Sequence, residues 1–170
     1  MTPDAADSGD GMAAGPVAIG YSVAGWRELV RLPDLDTRAF RAKFDTGART
    51  SALHAEDIRE SVRDGDRVVS FTIDRPRVKG DFRRTAQIAD YRTITSSNGD
   101  EELRYVIETT FQVGALRYEI ELTLTRRGDM RYPMLVGREA LAGRILIDPS
   151  HGYLLGRPPP ADHARPDEDH

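Results

Sequence analysis

Two neighbouring runs of alternating apolar and polar residues constrain this chain most. Leu103, Tyr105, Ile107, Thr109, Phe111 and Val113 recur at every second position, and after Gly114-Ala115 so do Leu116, Tyr118, Ile120, Leu122 and Leu124. A period of two puts each set on one face of an extended chain. The short break between the runs makes them an antiparallel hairpin with one face on a core. Residues 26–32 read as a strand stopped by Leu32-Pro33-Asp34, and residues 39–44 as another. Val68 to Ile73 alternates after an Asp64-Gly65 turn. Pro76 and Gly80 then break the chain before an extended stretch from Phe82 to Thr95. Met134–Val136, Ile145–Ile147 and Tyr153–Leu155 read as short buried strands. Residues 49–58 suit a turn or short helical piece, and residues 139–142 a short helical pattern. Frequent short strands and turns without a fixed-period repeat predict an all-β fold, a small closed β-barrel with one or two short helical turns.

Composition sets the outer limits. A chain of 170 residues with 39% hydrophobic residues fits one globular domain. No run of eighteen apolar residues offers a membrane span, and Met1-Thr2-Pro3-Asp4 lacks the features of a secretory signal, so the cytoplasm is the expected setting. Without cysteine there is no disulfide, thiolate metal site or cysteine nucleophile. The net charge of −4 belongs to the ends. Residues 1–18 hold Asp4, Asp7 and Asp10 without a base, and residues 158–170 hold four acids against Arg165. Both read as disordered acidic segments flanking a domain over residues 19–157 that is slightly basic and rich in arginine. That balance suits either an anionic substrate or a plain solvated surface of arginines, while no aromatic-basic arrangement points to nucleic acid.

The chemistry concentrates at Phe44-Asp45-Thr46-Gly47-Ala48, where an apolar strand ends in a carboxylate at a tight loop. Gly47 admits close approach of a substrate or backbone, and the Thr46 hydroxyl can brace the loop. This is the local chemistry of an aspartic peptidase half-site, with Asp45 as the catalytic candidate. Well downstream, Tyr132-Pro133-Met134-Leu135-Val136-Gly137-Arg138-Glu139 runs an apolar strand into Gly-Arg. Only one Asp-Thr-Gly exists, so the chain holds one half of the two-carboxylate machinery.

These pieces resemble the retropepsins, half-sized aspartic peptidases that pair an Asp-Thr-Gly-Ala loop with a later Gly-Arg strand. The match is closer to a bacterial retropepsin-like family labelled putative ATP-dependent zinc protease. Trp26-Arg27-Glu28, residues 43–55 (KFDTGARTSALHA), Ser96-Ser97-Asn98-Gly99, residues 134–141 (MLVGREAL) and Asp148-Pro149-Ser150 carry it. The resemblance implies an aspartic endopeptidase whose dyad forms from Asp45 of two subunits in a homodimer. It implies that Thr46 braces the pair across the axis, that Gly47 and Ala48 line the groove, and that Arg138 buttresses the fold. Viral retropepsins commonly place an acidic residue after Asp-Thr-Gly-Ala to pair with that arginine. Arg49 stands there in this chain, and it can pair with Glu139, stay exposed, or bind a substrate carboxylate.

Ser96, Ser97, Asn98 and Gly99 fall at a hairpin tip, either a flap over the groove or a plain polar turn. Family members are associated with ligases of the RimK type that append amino acids, which suggests trimming of acidic tails. The label's zinc and ATP find no support in the residues. The four histidines do not form a His-Glu-x-x-His motif, and no phosphate loop is present, so no cofactor or metal is expected. A metal at His54 and Asp57, or a triad of Ser51, His54 and Asp57, lacks the local signals that such sites carry. Two alternatives to the peptidase remain, a peptide-binding adaptor on the same fold and a metal-dependent peptidase. The acidic ends predict a weak homodimer.

Overall fold

A computed structural model describes residues 20–73, 83–126 and 131–159. The expected acidic ends and the break at Pro76 and Gly80 lie outside these residues. The chain runs through β1 (Ser22–Gly25), β2 (Arg27–Arg31), a 3-10 turn (Pro33–Leu35), β3 (Phe40–Asp45), β4 (Ser51–His54), β5 (Glu56–Arg63) and β6 (Asp66–Thr72). It continues through β7 (Arg83–Gln87), β8 (Asp90–Thr95), β9 (Glu101–Val113), β10 (Leu116–Thr125), β11 (Met134–Gly137), the helical turn α1 (Arg138–Leu141) and β12 (Ile145–Asp148). The fold is all-β, and among the described residues its helical content is confined to those two short turns.

The main sheet has the order β10-β4-β11-β3-β2-β9-β8, and β10 also pairs with β9. The strands from β10 round to β9 therefore close into a ring, and β8 extends β9 beyond it. The long hairpin follows its alternation, with Leu116 opposite Val113 and Thr123 opposite Val106. Phe111, Ile107, Leu122, Leu53 and Met134 fill the ring's interior, each fully buried. A separate three-stranded sheet, β5-β6-β7, stands beside the ring, and β1 pairs parallel with β12.

Four readings need correction. Residues 49–58 hold no helical piece. They contain β4, which is wedged between β10 and β11, and the start of β5. Burial of Ser51, Ala52 and Leu53 in succession removed the alternation by which a strand is recognised. Phe82 to Thr95 is not one stretch, because β7 and β8 belong to different sheets. Tyr153–Leu155 is not a strand. Tyr153 has a φ of +59°, and the N–H groups of Leu154 and Leu155 donate to the Glu28 carboxylate at 2.8 and 3.2 Å. That carboxylate is fully buried, also accepts the Gly25 N–H at 2.8 Å, and so ties the segment after β12 to β1 and β2. Finally, the outer half of β9 is not a core strand. Leu103 is 67% exposed, whereas Arg104 beside it is 7% exposed.

Candidate functional site

β3 carries Asp45 to its end because Phe40, Ala42 and Phe44 alternate into the core. The chain turns at once. The Gly47 N–H donates to Asp45 Oδ1 at 2.9 Å, and the Ala48 N–H to the Asp45 carbonyl at 3.2 Å. One carboxylate oxygen thus fixes its own loop. Thr46 and Gly47 are exposed at the tip, and Asp45 is half-buried.

The Gly-Arg strand lies against this loop. β11 runs parallel to β3 with Gly137 beside Asp45, and antiparallel to β4 on its other side. A Cβ on Gly137 would come within 2.6 Å of the Thr50 carbonyl carbon and oxygen, so only glycine allows the two backbones this close. The Gly137 N–H donates to the buried Ser51 hydroxyl at 3.0 Å, and the Arg138 and Glu139 N–H groups donate to the carbonyls of Ala48 and Arg49 at 2.8 and 3.2 Å. The Arg138 guanidinium donates to the Gly47 carbonyl at 3.3 Å. The loop's backbone is therefore held from one side by the start of α1. Arg49 takes the first of its three options. Its Nε lies 2.7 Å from Glu139 Oε1, and this hydrogen bond raises the Arg49 pKa above the usual arginine value.

Above the loop stands the β8–β9 hairpin. Its tip is closed by the Ser96 N–H donating to the Asp100 carbonyl at 2.7 Å and by Gly99 at a φ of +83°, the conformation that Asn98-Gly99 favours. Between loop and hairpin lies a groove of about 960 Å³, with Asp45, Gly47, Ala48 and Arg49 on one side and Thr93 to Ser97 on the other. Thr46, Asn98, Gly99 and Arg138 do not line the groove.

The groove's charge is one-sided. Asp45 is the one carboxylate lining it among the described residues, against Lys43, Arg49, Arg92, Arg104 and Arg131. The sequence reading missed four of these cations. Lys43 carries the simplest signal, since on a strand it alternates with Phe44 and precedes Asp45 by two. Trp26 and Tyr132, in edge contact at 6.0 Å between ring centroids, form an apolar end wall.

The metal and triad readings find no assembled site. His54 Nε2 is 2.9 Å from Glu56, while Asp57 is held by Arg83 at 2.7 Å and Arg59 at 2.8 Å, and these keep its carboxyl below the usual range, Arg83 foremost. The Ser51 hydroxyl is occupied by Gly137. Among the described residues no three His, Cys, Asp or Glu side chains converge as a metal would need, so those residues do not fit a zinc ion. Nor, among them, is any helix long and apolar enough to cross a membrane.

A ring of strands with an Asp-Thr-Gly loop braced by a Gly-Arg strand defines a retropepsin-like domain. The chain belongs to the RimB-like family, described as retropepsin-like aspartic endopeptidase RimB, which matches residues 23–158. A probable alpha-L-glutamate ligase of Shewanella pealeana is 43% identical over 136 residues, which are 79% of this chain and 30% of that protein. A protein of the same description from Parasynechococcus marenigrum is 40% identical over 139 residues, 79% of this chain and 29% of its own length. The chain thus spans about 30% of the length of the curated relatives it matches. A crystal structure of a Legionella pneumophila protein of unknown function superposes with a TM-score of 0.67 at 26% identity, covering 79% of this chain and 98% of that one.

Proposed function

We propose that this chain is an aspartic endopeptidase that hydrolyses acidic peptides as a homodimer, with the Asp45 carboxylates of two copies sharing one proton. The observation that carries this reading is the groove itself: one rigidly held carboxylate, at an exposed loop tip, in an otherwise cationic cleft of peptide-binding size. One carboxylate cannot act as base and acid together, and a second copy of the loop supplies the missing partner. Two carboxylates a few ångströms apart do not both ionise, so one stays protonated. The ionised one removes a proton from water as its oxygen attacks the scissile carbonyl carbon. The protonated one gives its proton to the carbonyl oxygen. The tetrahedral diol then collapses: one hydroxyl returns its proton to the second carboxylate, the C–N bond breaks, and the leaving nitrogen takes up the proton held by the first carboxylate. Thr46, exposed in the single chain, would meet its copy across the axis, while Gly47 and Ala48 flank the substrate.

The cations favour an acidic peptide. The ligase description of the longer relatives supports the same substrate, since addition of α-linked glutamate makes such chains and hydrolysis would shorten them. Those relatives also favour a second reading, a domain that binds acidic chains without cutting them. Mass spectrometry of oligoglutamate peptides incubated with the wild-type and Asp45→Asn proteins separates the two. Cleavage by the wild type alone supports the peptidase. Equal cleavage by both removes the aspartic mechanism, and binding without cleavage by either supports the second reading.

A further inference from the structure

Arg92 on β8 and Arg104 on β9 are direct cross-strand partners, and both line the groove. Side chains so paired have Cβ atoms about 5 Å apart, where like charges repel. Three carboxylates at the edge of the groove hold the pair in place, and each bonds one nitrogen of a guanidinium. Arg104 Nε donates to Glu102 at 2.8 Å, and Arg92 Nη2 donates to Glu121 at 3.1 Å and Asp90 at 3.4 Å. The Thr125 hydroxyl donates to Glu102 at 3.1 Å and so fixes the carboxylate that orients Arg104. Arg104 is 7% exposed, yet its two terminal nitrogens have no hydrogen-bond partner among the described residues. A guanidinium this buried, with its fork of donors open to a groove, is arranged for an anion that brings its own acceptors.

We propose that Arg92 and Arg104 form a carboxylate-binding subsite on the hairpin roof, and that this pair selects an acidic residue in the substrate. The inference rests on the peptide-cleaving groove proposed above and adds where its selectivity resides. The carboxylate comes either from a glutamate side chain or from the peptide's own C-terminus. Both present the same planar acceptor pair.

Binding to the Asp45→Asn protein tests the subsite without turnover. The probes are a fluorescein-labelled oligoglutamate peptide, its glutamine counterpart, and the oligoglutamate peptide with an amidated C-terminus. The expected preference for glutamate over glutamine is about tenfold to a hundredfold, the range for charge-assisted bidentate pairs. Arg104→Met abolishes that preference and Arg92→Gln reduces it, while affinity for the glutamine peptide barely changes. A merely structural role would weaken all the peptides together. If amidation alone costs as much as glutamine, the source is the chain end; if it costs nothing, the source is the side chain. A glutamate preference unchanged in both variants overturns the proposal. Should Arg104→Met fail to fold, the half-buried Arg92→Gln carries the test alone. Cleavage by the wild-type protein is read in parallel. An arginine-dependent preference without cleavage keeps the subsite and removes the peptidase reading. Cleavage of both peptides at equal rates does the reverse.

Discussion

The floor of the groove and its roof are held by different kinds of bond. On the floor, the Asp45 loop meets β11 and α1 through backbone N–H groups, a buried serine hydroxyl and a glycine that tolerates no side chain. On the roof, the β8–β9 hairpin extends past the ring, and its inner arginines are placed by exchangeable carboxylates. Backbone bonds in close-packed surroundings fix a reacting group within tenths of an ångström, whereas ion pairs at a groove's edge can re-partner with an incoming anion. On the proposed function, the difference is a division of labour: the floor would hold the carboxylate still, and the roof would adapt to what lies beneath it.

Changes to the floor should therefore act on rate and stability, and changes to the roof on substrate affinity. The largest effect is expected from Asp45→Asn, a rate loss of about a thousandfold or more with an unchanged denaturation midpoint, read by peptide cleavage and urea melts. Gly137→Ala comes next. Its Cβ would meet the Thr50 backbone, which cannot move without dragging the loop, so about 1–3 kcal/mol of stability is lost together with activity. Glu28→Gln keeps an acceptor but leaves an amide donor buried without a partner, a cost of about 1–3 kcal/mol in the same melts. A smaller loss would mean that the 150s segment re-seats itself.

Ile94→Ala removes an apolar surface from the roof. A KM raised about tenfold with the midpoint unmoved is the expected outcome, and a lowered midpoint would break the division between floor and roof. The smallest effect belongs to Tyr118, whose hydroxyl donates to the Ala140 carbonyl of α1 at 2.7 Å. Burial pushes its pKa from 10.0 up to about 12, with the Arg144 guanidinium over the ring opposing the rise. A raised pKa means that the fold favours the protonated phenol. Its contribution is complete below about pH 10 and fades as the pH rises towards 12. Tyr118→Phe should cost about 1 kcal/mol at pH 8, and the gap to wild type should narrow across that window.

The floor was readable in the sequence because its chemistry is written in consecutive residues. Asp45, Gly47, Gly137 and Arg138 sit in two short strings, and backbone pairing brings those strings together. The roof was readable as a hairpin with Asn98-Gly99 at its tip, but its arginines were not. Arg104 lies within a run whose alternation points to Leu103 and Tyr105 as the buried face. Only the hairpin's departure from the ring exposes Leu103 and covers Arg104. β4 was missed because burial on both faces erases the periodicity that marks a strand, and the 150s segment because a side chain, Glu28, takes the bonds a neighbouring strand would make. Both are long-range effects that no local window carries.

The central claim is that one Asp45 needs another. A series of initial rates across enzyme concentration, run with an oligoglutamate peptide alongside light scattering, tests it directly. If the dyad forms across a weak homodimer, dilute enzyme shows rates that climb with the square of its concentration and turn linear as the dimer saturates. Strictly linear rates from a protein that scatters as a monomer throughout would contradict the claim, because a single Asp45 would then be doing the chemistry alone.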